Sequence, residues 1–375
     1  MTASGNFDAM GEGRAVLDTQ DLLDDPVGRL SSNMTELSLQ ASNVVREAPT
    51  APAAMQIPIS APLSLAPKVQ YQSQQSVQQA QPVSQVQPQQ ESKLSADRIT
   101  SMTQYPLSTF DEKDRHNPQM VSVYVDDIIQ HLRNTEARRQ PSANYMSRQT
   151  DINAKMREIL IDWLVEVHLK FKLRQETLYL TVSIIDRFLE RRAVSRSKLQ
   201  LVGCTAMLLA SKYEEIFSPE VQDFVYVTDK AYTREQILAM ESIILNALEF
   251  NLTVPYAMRF AERYARFASE SDQFTSMVMY LIEITLQDYK FLKFLPSMIA
   301  SAAVSLALHL SGHEAWPRVL QEQTQYTEAD IRQCVMDLWH LAAQENPKYR
   351  AVRKKYASSR FHGVGKITID PPSTN

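Results

Sequence analysis

The chain has 375 residues, a net charge of −4 at pH 7, 44% hydrophobic residues and two cysteines. This length suits one or two domains with a tail. The acidic balance argues against a large nucleic-acid surface. Two isolated cysteines build neither a disulfide framework nor a zinc site, which favours a reducing compartment, the cytoplasm and the nucleus.

Several other classes of site and segment are not expected. None of the eight glycines forms a Gly-x-Gly-x-x-Gly or P-loop pattern, so we expect no nucleotide site. His309 and His313 are four residues apart, but Gly312 and the helix end argue against a metal site, so we expect no metal and no cofactor. The longest apolar run, Leu295 to Leu310, is interrupted by serines and is shorter than the roughly 18–20 residues of a membrane span. The N-terminus lacks a basic stretch followed by an apolar core, so no secretory signal is expected.

Residues 1–115 differ in composition from the rest of the chain. About half of the residues between Gln70 and Gln90 are Gln, and prolines punctuate the stretch before them. No apolar periodicity is sustained, so this segment buries too little surface to offset its ordering entropy. We predict a disordered regulatory tail.

From about Pro118 the apolar periodicity becomes helical. A short amphipathic helix around Val121–Ile129 is followed by a loop that contains Pro141. Five helices are predicted next, at about 154–171, 176–192, 197–215, 219–227 and 233–248.

Three local signals mark where these helices begin. Asp151 is a suitable N-cap for the first of the five. Pro219 suits the first helical position of the fourth. Thr233 followed by Gln236 predicts a capping box at the start of the fifth.

A second set of five segments has similar relative lengths. They lie at about 256–267, 274–288, 295–310, 317–321 and 328–344. In both sets the middle segment is the most apolar and is rich in small residues, which let neighbouring helices approach closely. The pattern predicts an all-α protein with two five-helix units, each around a central apolar helix.

These observations divide the chain into four parts. A tail spans 1–115, an N-terminal helix and the first unit span 116–252, the second unit and a C-terminal helix span 253–358, and an extension spans 359–375. The C-terminal helix carries the basic run Arg353-Lys354-Lys355, which we predict to lie on a solvated face.

The most informative segment is the first helix of the first unit, between Met156 and Val167. It is apolar almost all round, as central helices are. Arg157, Asp162 and Glu166 nevertheless lie within it, and buried charges need partners. A core helix alone does not explain these charges.

The order of residue types in this segment and along the next hundred positions resembles the mitotic cyclins of the A and B types. The resemblance rests on the blocks Tyr145–Ile152, Met156–Val167, Gln175–Tyr179, Ile185–Leu189, Leu199–Gly203, Ala210–Glu215 and Tyr226–Asp229, and on Tyr289–Ser297 and Ser359–Val364 in the second unit. It covers about two thirds of the chain and is most like the B type. It implies the tandem cyclin-box fold.

The resemblance assigns a kinase-binding role to Lys212 and Glu241. At matching positions, cyclins use this pair to hydrogen-bond the regulatory αC helix of a cyclin-dependent kinase and its preceding loop. Apolar candidates for the same surface are Tyr213, Ile216, Phe217 and Leu245. The alternative is a snorkelling lysine and a solvated glutamate without a partner role.

Two further sets follow from the resemblance. Arg157 and Asp186 match residues that form a buried ion pair between the first two helices of the box, which is a structural role. The second set matches an exposed patch that docks substrates or inhibitors carrying an Arg-x-Leu motif: Met156, Ile159, Leu160, Trp163, Glu166 and Gln200. In that patch, apolar residues take the leucine and the glutamate pairs with the arginine; Leu160 could instead belong to the core.

The tail holds one candidate degradation signal, Arg14-Ala15-Val16-Leu17. Mitotic cyclins carry an Arg-x-x-Leu destruction box that the anaphase-promoting ubiquitin ligase reads. The position that commonly holds Asn is Leu22 here, a departure from the pattern.

These interpretations predict a non-catalytic activating subunit of a cyclin-dependent kinase that controls the G2/M transition and mitosis, with the kinase as heterodimer partner. One alternative is an A-type cyclin acting in S and G2. Another is a TFIIB-like transcription factor, which shares the tandem fold but needs a basic face and usually a zinc ribbon. A plain helical scaffold is a third.

Overall fold

The computed structural model of the protein describes residues 109–344 and 350–370. These residues belong to two compact units, 109–125 and, with the gap, 126–370. The smaller unit contains helix α1 (Thr109–Lys113) and single-turn 3-10 helices at Asp114–His116 and Pro118–Met120. Residues 109–115, the last residues of the predicted tail, are helical in the structure.

The first of the two five-helix units, the first box, follows a long helix, α2 (Val125–Arg139), and a 3-10 helix at Tyr145–Arg148. Its five helices are α3 (Ala154–Lys170), α4 (Gln175–Arg191), α5 (Arg196–Glu214), α6 (Val221–Val227) and α7 (Arg234–Ala247). The central member is α5, which packs along α4 and against α3 and α7.

The second box repeats this order. Its helices are α8 (Ala257–Ala268), α9 (Asp272–Ile284), α10 (Pro296–Leu310), α11 (Arg318–Thr324) and α12 (Glu328–Ala343), with a 3-10 helix at Tyr289–Lys293 before α10. A short helix α13 (Ala351–Tyr356) and 3-10 helices at Ser359–Phe361 and Val364–Lys366 complete the described chain. Here α10 is central and packs along α8 and α12.

Small residues allow close packing at both central helices. In α5, Gly203 lies so close to α3 that a Cβ atom there would come within 2.7 Å of the Leu160 Cδ1 atom. In α10, Ala300, Ala303 and Ala307 are fully buried. These contacts confirm the prediction of two five-helix units, each around an apolar central helix.

The cap of α3 differs from the prediction. The side chain of Asn153, not Asp151, accepts a hydrogen bond from the Met156 N–H, at 3.0 Å. Asp151 instead pairs with Arg196 at the start of α5, with 2.7 Å between Oδ1 and Nε. Both residues are good N-caps, and only the path of the chain decides which lies at the helix start.

Two other start signals have opposite outcomes. The capping box of Thr233 and Gln236 is confirmed at α7. Helix α6 begins at Val221 and is capped by Glu220 with Asp223, so the prediction that Pro219 is its first residue is wrong by two positions.

The basic run of α13 is not wholly solvated. The Lys355 ammonium is buried, and its Nζ atom lies 2.7 Å and 2.8 Å from the two carboxylate oxygens of Glu283 in α9. The Tyr356 hydroxyl donates to the same carboxylate, at 2.9 Å. The prediction of a solvated face is therefore wrong at Lys355, because a carboxylate far away in sequence neutralises it.

The described ranges contain helices and turns but no strand. Within them, no helix is long and apolar enough to cross a membrane. The same ranges bring together no group of three or more His, Cys, Asp or Glu side chains that could hold a metal ion.

Candidate functional site

Lys212 and Glu241, from different helices, form an ion pair at the surface of the first box. Lys212 lies in the last turn of α5, where its charge is favourable next to the negative helix end. Its Nζ atom is 2.6 Å from the Glu241 Oε1 atom of α7. The lysine side chain is 45% exposed and the glutamate 14%, so the lysine stays open to solvent.

Exposed apolar side chains lie next to Lys212 in the chain and on the loop that follows α5. Ile216 is 85% exposed, Phe217 is 91% exposed and Tyr213 is about half exposed. Leu245 is partly buried and packs against the core. The structure thus places all six predicted kinase-binding residues on the last turn of α5, the loop after it, and α7.

Two neighbouring glutamates anchor the end of α5 that carries these side chains. The Tyr256 hydroxyl donates to Glu214 at 2.9 Å, and burial together with this carboxylate raises the pKa of Tyr256. Glu215 accepts from the Arg174 N–H at 2.8 Å and from the Thr177 hydroxyl. These bonds tie α5 to the start of α4 and to the second box, so the exposed residues project from a rigid support.

Sequence reasoning did not name two exposed apolar residues on α7 and just after it. Ile243 is 49% exposed on α7 and Phe250, just after that helix, is 66% exposed. The buried residues of α7 are Ile237 and Ile244. Ile243 lies outside that buried stripe. Its position relative to the apolar spacing of α7 could therefore have identified it as exposed.

The docking-patch residues are only partly accessible. Leu160 is fully buried and Trp163 is 2% exposed, both within the core cluster. Met156, Ile159, Glu166 and Gln200 are half-buried. Of the predicted patch, Leu160 thus belongs to the core, the alternative left open above, because it fills the space beside Gly203, and Trp163 also packs below the surface.

The indole N–H of Trp163 is a buried donor. Its Nε1 atom is buried and has no hydrogen-bond partner within the described residues. A buried donor without a partner is costly in a native structure.

Arg157 and Asp186 lie together in the interior. The guanidinium donates to both carboxylate oxygens, at 2.6 Å and 2.7 Å. The Tyr145 hydroxyl also donates to Asp186, at 2.7 Å. Arg157 donates further to the carbonyls of Leu286 and Gln287, at 3.1 Å each, so the pair joins the two boxes as well as two helices.

The candidate destruction box, Arg14 and Leu17, lies outside the described residues.

Comparison with known proteins agrees with this architecture. The profile described as "Cyclin, N-terminal domain" matches residues 127–253 and "Cyclin, C-terminal domain" matches residues 255–370. The solved structure of a viral cyclin from herpesvirus saimiri has a TM-score of 0.52 and 19% identity, covering 57% of this chain and 97% of that one. At that identity the likeness concerns the fold alone.

Relatives with higher identity are mitotic cyclins. The G2/mitotic-specific cyclin-B of Hydra viridissima is 43% identical over 270 residues, which cover 72% of this chain and 69% of that protein. Cyclin-A2 of Gallus gallus is 45% identical over 269 residues, 71% and 67% of the two chains. The chain therefore belongs to the cyclin family, with B-type and A-type mitotic cyclins as its relatives.

Proposed function

We propose that this chain is a regulatory, activating subunit of a cyclin-dependent kinase acting at the G2/M transition and in mitosis, with no catalytic activity of its own. The observation that carries the proposal is the ion pair of Lys212 and Glu241 beside the exposed side chains of Ile216 and Phe217. Exposed apolar groups around a satisfied charge pair are typical of a protein interface. Its relatives favour this interpretation over a TFIIB-like factor.

The mechanism we propose is conformational. The kinase αC helix docks on α5 and α7, where Lys212 and Glu241 hydrogen-bond its backbone ends and Ile216 and Phe217 bury its apolar side chains. Docking stabilises the rotation that brings the αC glutamate to the catalytic lysine of the kinase. Moving a kinase from about 1% to about 99% active requires roughly 5.5 kcal/mol of differential affinity for that state.

The test measures capture and activation of a purified mitotic cyclin-dependent kinase by wild type and by Lys212→Ala/Glu241→Ala. We expect wild type to activate the kinase and the folded variant to activate it about tenfold less or weaker still. The reason is that truncating a charge pair in an interface weakens binding. A matched control is Arg318→Ala/Glu322→Ala, which removes an exposed ion pair of α11. Absence of kinase activation by folded wild type would contradict the proposal.

We also propose that the half-buried patch of α3 and α5 binds Arg-x-Leu motifs of substrates or inhibitors. Glu166 would pair with the arginine, and the half-buried Met156 and Ile159 would contact the leucine. Binding of a labelled Arg-x-Leu peptide should weaken about tenfold in Glu166→Gln, and should then no longer respond to replacing the peptide arginine with alanine. An unchanged response to that replacement would exclude the pairing.

For the remaining biology we propose residence in the cytoplasm and the nucleus and destruction through the anaphase-promoting ubiquitin ligase. Arg14 and Leu17 support the second proposal. Arg14→Ala/Leu17→Ala should lengthen the mitotic half-life of the chain, and an unchanged half-life would remove this segment as the signal.

A further inference from the structure

Arg187 of α4 is an arginine whose charge the described chain does not neutralise. It is 4% exposed. One terminal nitrogen donates to the Asn251 carbonyl, while the other, Nη1, is buried and has no hydrogen-bond partner within the described residues. Its neighbour Asp186 is already occupied by Arg157. A buried cation that no carboxylate contacts directly is costly.

The surroundings of Arg187 add positive charge. Burial and the nearby Arg191 and Arg139 lower the pKa of Arg187 to about 10. Arg139, at the end of α2, lines the same 120 Å³ cavity as Asp186. Both Arg139 and Arg191 are exposed, and neither forms an ion pair with a described residue.

One carboxylate nearby offers limited compensation. Glu190 raises the pKa of Arg187, but its Oε1 atom accepts from the Ser142 N–H at 2.9 Å and lies 3.7 Å from the Arg148 guanidinium. It is therefore shared among other donors. We name Arg139, Arg187 and Arg191 the arginine cluster.

The arginine cluster borders the proposed kinase surface. Arg191 Nη1 donates to the carbonyl of Ala247, the last residue of α7, at 2.7 Å. Glu241 lies six residues earlier on that helix, or about 9 Å along its axis. Arg187 is held by Asn251, next to the exposed Phe250.

A protein interface is wide enough to reach from Glu241 to the end of α7. A stable interface covers about 800 Å² on each partner, which corresponds to a disc of roughly 16 Å radius. A kinase seated on Lys212 and Glu241 would therefore cover part of the arginine cluster. Covering three cations without opposite charges would oppose binding.

We propose that the arginine cluster binds acidic side chains, aspartate or glutamate, on the surface of the bound kinase. This inference rests on the proposed function and specifies the chemistry of the partner surface. The acidic groups would contact Arg139 and Arg191, the exposed members of the cluster. They would also attract the kinase before contact, since exposed interface charges act mainly on the association rate.

The test compares association of a purified mitotic cyclin-dependent kinase with full-length wild type, Arg139→Glu/Arg191→Glu and Arg139→Lys/Arg191→Lys, at about 0.05 M and about 0.5 M salt. We expect the Glu variant to associate about tenfold or more slowly at low salt and to lose the salt dependence of wild type, and the Lys variant to stay close to wild type. Arg318→Glu on α11, a side chain that is 90% exposed, is the control for net charge. Circular dichroism melting confirms folding of each variant.

The outcomes separate this inference from the proposed function. If wild type binds the kinase and the Glu variant associates equally fast with the same salt dependence, the acidic partner surface is wrong and the kinase-binding function stands. If the Lys variant is as slow as the Glu variant, or if Arg318→Glu is equally slow, a specific charge contact at the arginine cluster is excluded. If folded wild type captures no kinase, the proposed function fails and this inference fails with it.

Discussion

Individual buried charges are where single substitutions have the largest effects in this chain. Arg157 and Asp186 are each about 2% exposed, and Lys355 and Glu283 form a second pair that is equally buried. Because both charges lose their hydration when they are buried, an intact pair of this kind contributes only modestly to the free energy of unfolding. Removal of one partner leaves the other charge buried without a counter-charge, and this destabilises the folded state.

The ion pair inside the first box gives a direct test. Arg157→Met should lower the free energy of unfolding by about 3–5 kcal/mol, because Asp186 would be left with the Tyr145 hydroxyl alone. Urea denaturation measures the change. Arg196→Met serves as the control, since its pair with Asp151 is about 40% exposed and should cost about 0–1 kcal/mol. Similar losses in the two variants would show that burial does not set the cost.

His168 carries a pH dependence. Burial, with Lys355 nearby, lowers its pKa from 6.5 to about 3, and its Nε2 atom lies 2.9 Å from the Arg174 carbonyl oxygen. Between these pH values the unfolded chain binds a proton that the folded chain does not, so stability falls as the pH falls.

We expect His168→Gln to lose less stability than wild type on acidification from about pH 6.5. The difference should approach about 1.4 kcal/mol per pH unit, the value for one proton. Denaturation curves collected across this range measure it. Parallel pH profiles for the two proteins would mean that His168 gains its proton in the folded state too.

At the scale of elements, the C-terminal 3-10 turn lies so close to the backbone of α13 that a side chain at Gly365 has no space. Gly365 lies in the 3-10 helix Val364–Lys366. A Cβ atom added there would meet the Arg353 carbonyl oxygen and lie 2.8 Å from the Ala357 nitrogen. These are backbone atoms of α13 and its end, which cannot rotate away as a side chain can.

Gly365→Ala should therefore destabilise the contact of this turn with α13 by about 1–3 kcal/mol. Faster hydrogen exchange in Ala351–Tyr356 would report it. Gly312→Ala is a suitable comparison, because its Cβ atom would meet nothing within 4 Å and only its φ of +75° opposes alanine. A larger effect at Gly312 would contradict the steric argument.

At the scale of the whole of residues 126–370, polar side chains of the N-terminal half hold helix ends in the C-terminal half. Glu136 of α2 accepts from the backbone and the hydroxyl of Ser297 at the start of α10, at 2.9 Å and 2.7 Å. Asp162 of α3 accepts from Gln287 at 2.6 Å and from the Ala351 N–H at 2.9 Å. Each carboxylate therefore caps a helix of the other half.

Asp162→Ala should release the start of α13 rather than disturb α3 itself. Loss of a charged acceptor from a buried N–H costs about 1–3 kcal/mol, which corresponds to about tenfold or more faster exchange of the α13 amides. Mass-spectrometric hydrogen exchange separates α13 from α5, where no change is expected. Equal acceleration in both helices would indicate global destabilisation instead of a local link.

The helices of both boxes could be predicted because their signal is local. Apolar spacing placed α5 at 197–215 and α10 at 295–310, and the structure has them at Arg196–Glu214 and Pro296–Leu310. The candidate kinase surface could be located to α5 and α7 because the resemblance rests on contiguous residue blocks. Whether those side chains bind a kinase stays a prediction.

The sequence by itself determined the all-α class, the two five-helix units and the membership in the cyclin family, because helix periodicity and family motifs depend on neighbouring residues. The tertiary structure alone decided that Leu160 and Trp163 are buried, that Lys355 pairs with Glu283, and that the Nη1 atom of Arg187 has no hydrogen-bond partner within the described residues. These outcomes depend on which distant side chains meet when helices pack, and no spacing along the chain records that meeting.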